Sequence, residues 1–380
     1  MGPEHSVTTD TAGKLDLLIM LGDAGLAFPE QLLGAVREAV AMDLITLGLS
    51  LAGVERVIVS TNRASFMERL SSLPVLVIPD EPGEDFHFGR HLRHVLQAAG
   101  ITRNQRVLYM GGGAAPLITQ SQFQTLVDTL RDNPQALVTN NLYSSDLVGF
   151  TAGWLEEVEP PARDNDLAWK LAEMGKHEVL QPPRSAGTSF DIDTITDVLI
   201  LKLCRERLHP HTRAVMDGAP VDASHITRVL GVLKDPHKTL LLVGRISADV
   251  WHTLRRRAAC QVHVISEERG MRASGRLSRG EVRSLVGYYA DTQGFAGLFS
   301  YLAQIADAVI LDSRVLFAHL GHWPSDADRC YADLGQPEHI EDNVIRELIA
   351  AALAAPIPIA MGGHSLLSGG LLALLESMGL

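Results

Sequence analysis

The sequence predicts an α/β protein in which a mostly parallel, three-layer sheet structure is followed by a second, smaller α/β domain. Three observations support this fold class. Short apolar segments alternate with longer segments whose apolar residues recur at helical spacing. Residues 15–21 form an almost continuous apolar run, which is typical of a central strand buried on both faces. A chain of 380 residues is also long for a single hydrophobic core.

The strands and helices follow from these patterns in chain order. In the first half, the predicted strands are 15–21, 56–60, 75–78, 106–110, 136–139 and 179–181, and the predicted helices are 31–52, 91–99, 120–131 and 194–207. In the second half, the predicted strands are 239–243, 261–265, 308–311 and 357–361, and the predicted helices are 223–233, 247–257, 280–289, 297–306, 340–354 and 365–377. The His-Pro-His segment at 209–211 predicts the boundary between a domain of residues 15–208 and one of residues 209–380. Residues 1–14 are polar and predict a flexible N-terminus.

Composition narrows the function classes. The net charge of −12, from 33 basic and 45 acidic residues, argues against a nucleic-acid partner, because such proteins need an excess of Lys and Arg. The three cysteines are widely separated, so neither a disulfide framework nor a structural zinc site is expected, and a cytoplasmic location fits best. No run of about 18 apolar residues predicts a membrane span. A small-molecule substrate is expected, and self-association stays open.

The segment 106–119, Arg-Val-Leu-Tyr-Met-Gly-Gly-Gly-Ala-Ala-Pro-Leu-Ile-Thr, predicts a buried strand, a tight turn at Gly111, Gly112 and Gly113, and the start of another element. It resembles the strand and Gly-Asp-x-Pro-Leu-Leu turn of nucleotidyltransferases of the molybdenum-cofactor guanylyltransferase and phospholactate guanylyltransferase type. In that family the turn's Asp holds a divalent metal and the nucleotide. Here Gly113, Ala114 and Ala115 precede the proline, so the acid is missing.

The resemblance covers about residues 15–205 and includes two further segments. One is Leu137–Asn141, a strand that runs into a polar turn, and the other is Phe190–Thr194 followed by Asp197, which resembles the family's Asp-x-Asp-Thr-Pro-Glu-Asp-Leu segment. The resemblance implies the nucleotide-diphospho-sugar transferase fold, with Mg²⁺ and a nucleoside triphosphate or nucleotide sugar as cofactors. It implies metal ligation by Asp191 and Asp193, and nucleotide contacts from the three turn glycines and Asn141.

Simpler interpretations of these residues stay open. The three glycines also fit a strand-to-helix turn that needs positive φ. Asp191 and Asp193 also fit a solvated loop with a helix cap. In addition, residues 22–26 follow the first strand where the family has a phosphate-binding loop, and they contain no Arg or Lys.

The second half has its own candidate ligand residues at strand ends. Residues 266–284 follow a predicted strand and carry Arg269, Arg272 and Arg276, which we predict to bind phosphate or carboxylate, although the segment also fits a surface loop whose Arg and Glu residues pair. Asp312 and His364 follow the next two strands. If the strands are parallel, these ends converge on one crevice. His364 and Asp312 are therefore the predicted catalytic residues, although a His after two glycines also fits a helix cap.

These observations lead to three hypotheses about function. The leading hypothesis is a transferase that moves a nucleotidyl or sugar group to a small molecule. A second is a catalytically inactive relative that serves as a binding or assembly protein. A third is an enzyme that acts on a phosphorylated or carboxylated small molecule at the C-terminal crevice, beneath a flap formed by residues 322–333.

Overall fold

The computed structural model describes residues 15–22, 25, 27–80, 86–272 and 274–380, so the predicted flexible N-terminus lies outside the described residues. The chain forms two compact units. Unit 1 contains Met1–Met20, Ile45–Gly111 and Thr119–Pro182, and unit 2 contains Leu21–Leu44, Gly112–Ile118 and Pro183–Leu380. The predicted boundary between domains at residues 208 and 209 stays a prediction, although a helix begins there at Pro210.

Unit 1 is built on a seven-stranded sheet, counted over the described residues, with the order β3-β2-β1-β4-β6-β5-β7. Its strands are β1 (Leu15–Leu21), β2 (Val54–Thr61), β3 (Leu76–Pro79), β4 (Arg106–Gly111), β5 (Ala136–Thr139), β6 (Leu147–Thr151) and β7 (Glu178–Leu180). The helices of the first half are α1 (Phe28–Gly48), α2 (Ala64–Leu70), α3 (Phe88–Ala98), α4 (Gln120–Asp132) and α5 (Leu167–Trp169).

This sheet is mostly parallel, which confirms the predicted fold class. The pairs β1–β4, β2–β3 and β5–β7 are parallel. Strand β6 runs antiparallel to both β4 and β5, and the sequence interpretation missed it. Gly149 interrupts the apolar pattern of this strand. A larger residue there would collide with Leu130, since an added Cβ would lie 2.8 Å from the Leu130 side chain.

The central strand β1 is buried as its apolar run predicts, with Leu17, Leu18 and Ile19 fully buried. Its one charged residue, Asp16, is buried as well. The guanidinium of Arg56 neutralises it, since Nε donates to Oδ1 at 2.8 Å and an Nη2 donates to Oδ2 at 3.1 Å. A buried carboxylate needs such a partner, so the charge does not interrupt the strand.

Unit 2 contains a separate four-stranded sheet with the order β11-β10-β8-β9, again counted over the described chain. Its strands are β8 (Thr239–Gly244), β9 (Gln261–Ser266), β10 (Ala308–Asp312) and β11 (Ile359–Gly362). The helices are α6 (Ala186–Ser189), α7 (Ile195–Leu203), α8 (Pro210–Gly218), α9 (Ser224–Leu230), α10 (Ala248–Arg257), α11 (Leu285–Ile305), α12 (Ser313–His319), α13 (Asp326–Leu334), α14 (Asn343–Leu353) and α15 (Gly369–Ser377).

All neighbouring strands of this second sheet are parallel, which meets the condition under which the polar strand ends converge. Strand β9 lies on one side of β8, whereas β10 and β11 lie on the other, so the strand order reverses between β8 and β10. In open parallel sheets, ligands bind at the carboxyl ends of the strands at such a reversal. The connections that follow β8 and β10 are therefore where a ligand site is expected in unit 2.

Helix α11 corrects one helix prediction and confirms its division in two. It starts at Leu285, not at residue 280, because the hydroxyl of Ser284 accepts from the amide of Gly287 and caps it. It bends at Gly294, where φ is 70°. The rings of Tyr289 and Tyr301 stack with centroids 4.8 Å apart, whereas a straight helix would separate these residues by roughly 18 Å. The two arms correspond to the two predicted helices.

No helix in the described part of the chain is long and apolar enough to cross a lipid bilayer.

Candidate functional site

The glycine turn is explained by close packing. Gly111 ends β4 in unit 1, and Gly112 and Gly113 belong to unit 2. None of them has positive φ, so the interpretation based on backbone conformation was wrong; Ala115 is the residue of this turn with positive φ, at 47°. A Cβ on Gly112 would lie 2.6 Å from the Leu21 side chain, and one on Gly113 would lie 2.8 Å from the Ile192 carbonyl oxygen.

Gly113 therefore admits the segment that contains Asp191 and Asp193. The Ile192 amide donates to the Gly113 carbonyl at 2.9 Å, and Asp191 pairs with Ala114 in an isolated antiparallel bridge. Within unit 2, the structure thus brings Gly113 of the predicted turn next to the segment of the predicted metal ligands. Their arrangement also involves a residue that the sequence interpretation missed, Arg37 of α1.

Arg37 binds the Asp191–Asp193 segment through three contacts. Its Nε donates to the Ile192 carbonyl at 2.7 Å, and its Nη2 donates to the Asp193 carbonyl at 3.2 Å and to Asp193 Oδ1 at 3.3 Å. The Asp193 side chain is 70% exposed, whereas that of Arg37 is 33% exposed. A half-buried guanidinium therefore holds an exposed carboxylate.

Asp197, the third residue of helix α7, completes a buried capping box with the N-cap residue Thr194. Its Oδ2 accepts from the amides of Asp193 and Thr194 at 2.9 and 2.7 Å, and from the Thr194 hydroxyl at 3.0 Å. Complete burial is the main influence on this carboxyl and raises its pKa to about 6; the Ser365 hydroxyl lowers the pKa, and the charge of Asp193 raises it. Asp197 therefore has a structural role, and its ionisation at neutral pH lowers the free energy of unfolding.

We predict that Asp197→Asn removes a pH dependence of stability. The folded pKa of about 6 lies above the unfolded value of about 3.9, so the folded state binds more protons between these values and the free energy of unfolding falls as pH rises through them. An amide keeps an oxygen for the cap and lacks the charge. Between about pH 4 and about pH 8 in urea unfolding, the free energy of unfolding of the wild type is expected to fall by on the order of 2–3 kcal/mol relative to that of the variant.

The control for that measurement is Asp132→Asn, which changes a 61% exposed carboxylate. It is expected to leave the pH dependence as in the wild type. An equal decline in wild type and Asp197→Asn would show that the buried carboxyl is not its source.

The carboxyl ends of β8 and β10 carry a buried ion pair. Arg245, which follows β8, donates to Asp312 through Nε at 2.5 Å and Nη2 at 3.1 Å, and the Asp312 side chain is fully buried. Burial alone would raise the pKa of Asp312, but the charge and hydrogen bonds of Arg245 outweigh it and hold this pKa below its usual value. The predicted catalytic carboxylate is therefore engaged by Arg245, a residue that the sequence interpretation missed.

His364 follows β11 at the same edge and lies among several charges. The residue is exposed, yet the surrounding chain partly desolvates the imidazole. This desolvation and the cations of Arg245 and Arg269 lower the pKa of His364, whereas the carboxylates of Asp312 and Asp193 raise it. The net result is a lowered pKa of about 4 for His364. The imidazole is therefore neutral at pH 7, so it can donate or accept a hydrogen bond but is a poor proton donor there. We call His364, Arg245, Arg269, Asp312 and Asp193 the His364 cluster.

The arginine-rich segment after β9 is partly self-paired, as the alternative interpretation held. Arg276 forms two hydrogen bonds with Glu268 at 2.7 and 2.9 Å, and Arg279 pairs with Glu281 at 2.9 Å. Arg272 lies 5.5 Å from the centre of the Trp323 ring. Arg269 differs from these three, since it is exposed and forms no hydrogen bond or ion pair with any residue that the structure describes.

A cavity of about 300 Å³ adjoins the His364 cluster through their shared residue Asp193. Its lining is strongly charged and includes Arg37, Arg314 and Arg329 as well as Glu30 and Asp326. Arg314 is committed to Asp333, which binds both ends of its guanidinium at 2.7 and 2.8 Å. Arg329 pairs with Asp326. Both residues lie in α13, which begins at Asp326, so most of the predicted flap of residues 322–333 is helical. The remaining lining residues are Gly25, Leu33, Gly34, Thr194 and Cys330.

Asn141, the remaining predicted nucleotide contact, lies in unit 1 just after β5. Its amide donates to the Thr139 hydroxyl at 3.4 Å, and its side-chain oxygen accepts from the Tyr143 amide at 3.2 Å. These contacts build a local turn. Its role toward a nucleotide stays a prediction.

The predicted magnesium ligands do not form a metal site by their geometry. Mg²⁺ requires a near-octahedral set of oxygen ligands. In the described chain, no group of three or more His, Cys, Asp or Glu side chains is placed to hold a metal ion. The Asp193 carboxylate accepts from the guanidinium of Arg37, and the carboxyl of Asp197 accepts from the backbone amide of Thr194. Because Mg²⁺ can bind through one or two carboxylates together with waters and substrate phosphates, the number of ligands does not decide the fit. The residues as placed fit Mg²⁺ poorly because the charge of Arg37 already contacts Asp193 and would repel a second cation there.

Comparison with known proteins yields only distant structural likenesses. No protein-family model matches this chain, and no curated protein matches it significantly. The chain is similar to a cytidylyltransferase from Leptospira borgpetersenii (17% identity, TM-score 0.38, covering 54% of this chain and 93% of that one). It is also similar to a candidate nucleotide-diphospho-sugar transferase from Desulfovibrio desulfuricans (16%, 0.39, 53% and 94%).

A third similar structure is the CMP-2-keto-3-deoxy-manno-octonic acid synthetase in complex with CTP (13% identity, TM-score 0.33, covering 44% of this chain and 90% of that one). These neighbours are nucleotide-diphospho-sugar transferase and cytidylyltransferase folds at low identity. At TM-scores below 0.5 they do not identify a ligand or reaction for this chain. The narrower resemblance to guanylyltransferases stays a prediction.

Proposed function

We propose that this protein binds a phosphorylated small molecule, a nucleotide or nucleotide sugar, at the carboxyl edge of the second sheet in unit 2 and transfers a group from it. The observation that carries the proposal is Arg269. It is an exposed guanidinium without a hydrogen-bond or ion-pair partner among the described residues, and its charge reaches His364 at the point where the strand order reverses. An arginine there provides the forked donors that suit a phosphate.

The surroundings of Arg269 support an anionic ligand. Arg245 and Arg269 both act on the His364 ring, and the neutral imidazole offers a hydrogen bond without adding charge. Arg37 contacts Asp193, the exposed carboxylate of the cluster, at 3.3 Å. The adjoining cavity of about 300 Å³ lies at the small end of the range for ligand pockets and fits the phosphate-bearing part of a ligand.

The reaction class follows from what these residues can do. Nucleotidyl and phosphoryl transfer depend on positioning and on stabilising negative charge in the transition state, with little need for a protein acid or base. The His364 cluster supplies fixed cations and a neutral imidazole, whereas its buried carboxylate is engaged by Arg245. This set of groups suits charge stabilisation better than proton transfer.

The proposal is tested by thermal shift of the intact chain with nucleoside triphosphates and nucleotide sugars, followed by calorimetric titration of the best ligand. Arg269→Ala is expected to weaken binding about 10- to 100-fold, since a hydrogen bond to a charged group contributes about 1.5–3 kcal/mol. The matched control is Arg279→Ala on the same segment, whose side chain is 53% exposed and pairs with Glu281. It is expected to bind as the wild type does. Equal affinities for wild type and Arg269→Ala would contradict the proposal.

A second candidate function is binding without transfer. It is favoured by the commitment of the candidate acids: Asp312 is bound by Arg245, Asp193 by Arg37, and Asp197 caps a helix. A nucleotide that binds through Arg269 while no pyrophosphate or nucleoside diphosphate is released, with any of a panel of acceptors, would support this alternative over transfer.

A further inference from the structure

We infer that the guanidinium of Arg37 takes the place that a divalent cation would have beside the Asp191–Asp193 segment, so that unit 2 binds its phosphorylated ligand without a metal. The inference rests on the proposed function, because it concerns the same ligand. It starts from the finding that a permanently charged side chain, Arg37, contacts the Asp193 carboxylate directly, so a second cation at the same carboxylate would be repelled.

The position of Arg37 is set by the local packing of the chain. The stem of Arg37 passes Gly113 closely, since a Cβ on that glycine would lie 3.3 Å from the Arg37 Cγ and 2.8 Å from the Ile192 carbonyl oxygen. Its Nε is anchored on that same carbonyl at 2.7 Å. The glycine that stands near the missing acid of the turn therefore makes room for an arginine and for the segment it binds.

The anchoring leaves one end of the guanidinium available to an exchangeable partner. The bond from Nε to a backbone carbonyl fixes the direction of the side chain, whereas the contact from Nη2 to the exposed Asp193 carboxylate is longer, at 3.3 Å. Arg37 and Asp193 both line the cavity. A phosphate that enters the cavity can replace the Asp193 carboxylate at the guanidinium, because a phosphate is likewise a charged acceptor that matches the forked donors of arginine.

This arrangement predicts the opposite effect of an Asp193 substitution from the one a metal site predicts. If Asp193 competes with the ligand for Arg37, its neutral variant binds the ligand more tightly. If Asp193 is a metal ligand, the same variant loses metal and ligand together. The side chain is 70% exposed, so its replacement is expected to leave the fold intact.

The test is calorimetric titration of the intact chain with inorganic pyrophosphate, in excess EDTA and in excess MgCl₂. The wild type is expected to bind in EDTA, and no more tightly in MgCl₂. Asp193→Asn is expected to bind about two- to fivefold more tightly in EDTA, since an exposed ion pair is worth up to about 1 kcal/mol. The matched control is Asp249→Asn, a carboxylate with the same 70% exposure that pairs with Arg184 at 3.1 Å and does not line the cavity. It is expected to leave the affinity unchanged.

Arg37→Ala is expected to weaken binding at least tenfold in EDTA, and Arg37→Lys, which keeps the charge, is expected to fall between it and the wild type. Binding that is at least tenfold tighter in MgCl₂, or that is lost in Asp193→Asn, would overturn the inference and leave the proposed function standing. No binding of pyrophosphate or nucleotides in either buffer would instead contradict the proposed function itself, and this inference with it.

Discussion

Replacing Asp333 by alanine is expected to lower the free energy of unfolding by about 3–5 kcal/mol. The Asp333 carboxylate binds both ends of the Arg314 guanidinium at 2.7 and 2.8 Å, and the two side chains are only 1% and 7% exposed. Burial lowers the pKa of Arg314, but Asp333 more than offsets this, so the arginine stays charged. Without Asp333, a charged guanidinium remains buried, and among the described residues the Ser313 hydroxyl, 2.9 Å away, is its remaining side-chain acceptor.

The control for this prediction is Glu281→Ala, which breaks the exposed pair with Arg279 and is expected to cost less than about 1 kcal/mol. Urea unfolding monitored by circular dichroism measures both. The double variant Arg314→Met, Asp333→Leu is expected to recover most of the loss, because removal of both charges leaves no uncompensated ion. A cost for Asp333→Ala no larger than that for Glu281→Ala would contradict the account.

Gly244→Ala is expected to cost about 2–5 kcal/mol and to weaken ligand binding. Gly244 ends β8 with φ of 125°, a conformation that side chains rarely adopt, and an added Cβ would lie 2.5 Å from the Asp312 Cβ. Backbone strain and the steric conflict each contribute about 1–3 kcal/mol. Relief of the conflict requires Asp312 to move, which disturbs its bond to Arg245 and therefore the His364 cluster.

Gly280→Ala separates the two contributions. Gly280 also has positive φ, at 66°, but nothing lies within 4 Å of a Cβ added there. Its replacement is expected to cost about 1–2 kcal/mol from the backbone alone and to leave pyrophosphate affinity unchanged. If Gly244→Ala costs no more than Gly280→Ala and binds pyrophosphate as the wild type does, Gly244 does not position Asp312 and Arg245.

Most strands could be predicted from the sequence, because buried parallel strands leave continuous apolar runs. All four strands of the second sheet were predicted near their observed bounds, whereas their parallel direction was only assumed as a condition. Strand β6 was missed because Gly149 interrupts its apolar pattern at a point where Leu130 needs the space. The arms of α11 were predicted, but the start of the first depends on the capping hydroxyl of Ser284.

The candidate site was predictable where polar residues directly follow strands. His364, Asp312 and Arg269 were found by that rule, and the charges of Asp312 and Arg269 both act on the His364 ring. Arg245 follows β8 after a glycine, so the same rule could have found it. Arg37 carries no such signal, since it lies within a helix and reaches Asp193, 156 residues away, only through folding.

The structure also changes the meaning of predicted residues. The turn glycines were attributed to backbone conformation or to a nucleotide, whereas Gly112 and Gly113 are needed because Leu21 and Ile192 approach them closely. Asp312 was predicted as a catalytic residue; the structure buries its carboxylate against Arg245, and its catalytic role stays a prediction. Such commitments depend on tertiary neighbours, which spacing along the chain does not reveal.

Amide hydrogen exchange shows whether the phosphate site lies in unit 2 at the carboxyl edge of the second sheet. The intact chain is compared with and without saturating inorganic pyrophosphate. Slower exchange is expected in peptides that span residues 244–247, 267–272 and 362–368, with little change around Asn141 in unit 1. Protection confined to the segment around Asn141, with none at the ends of β8, β9 and β11, would contradict the account.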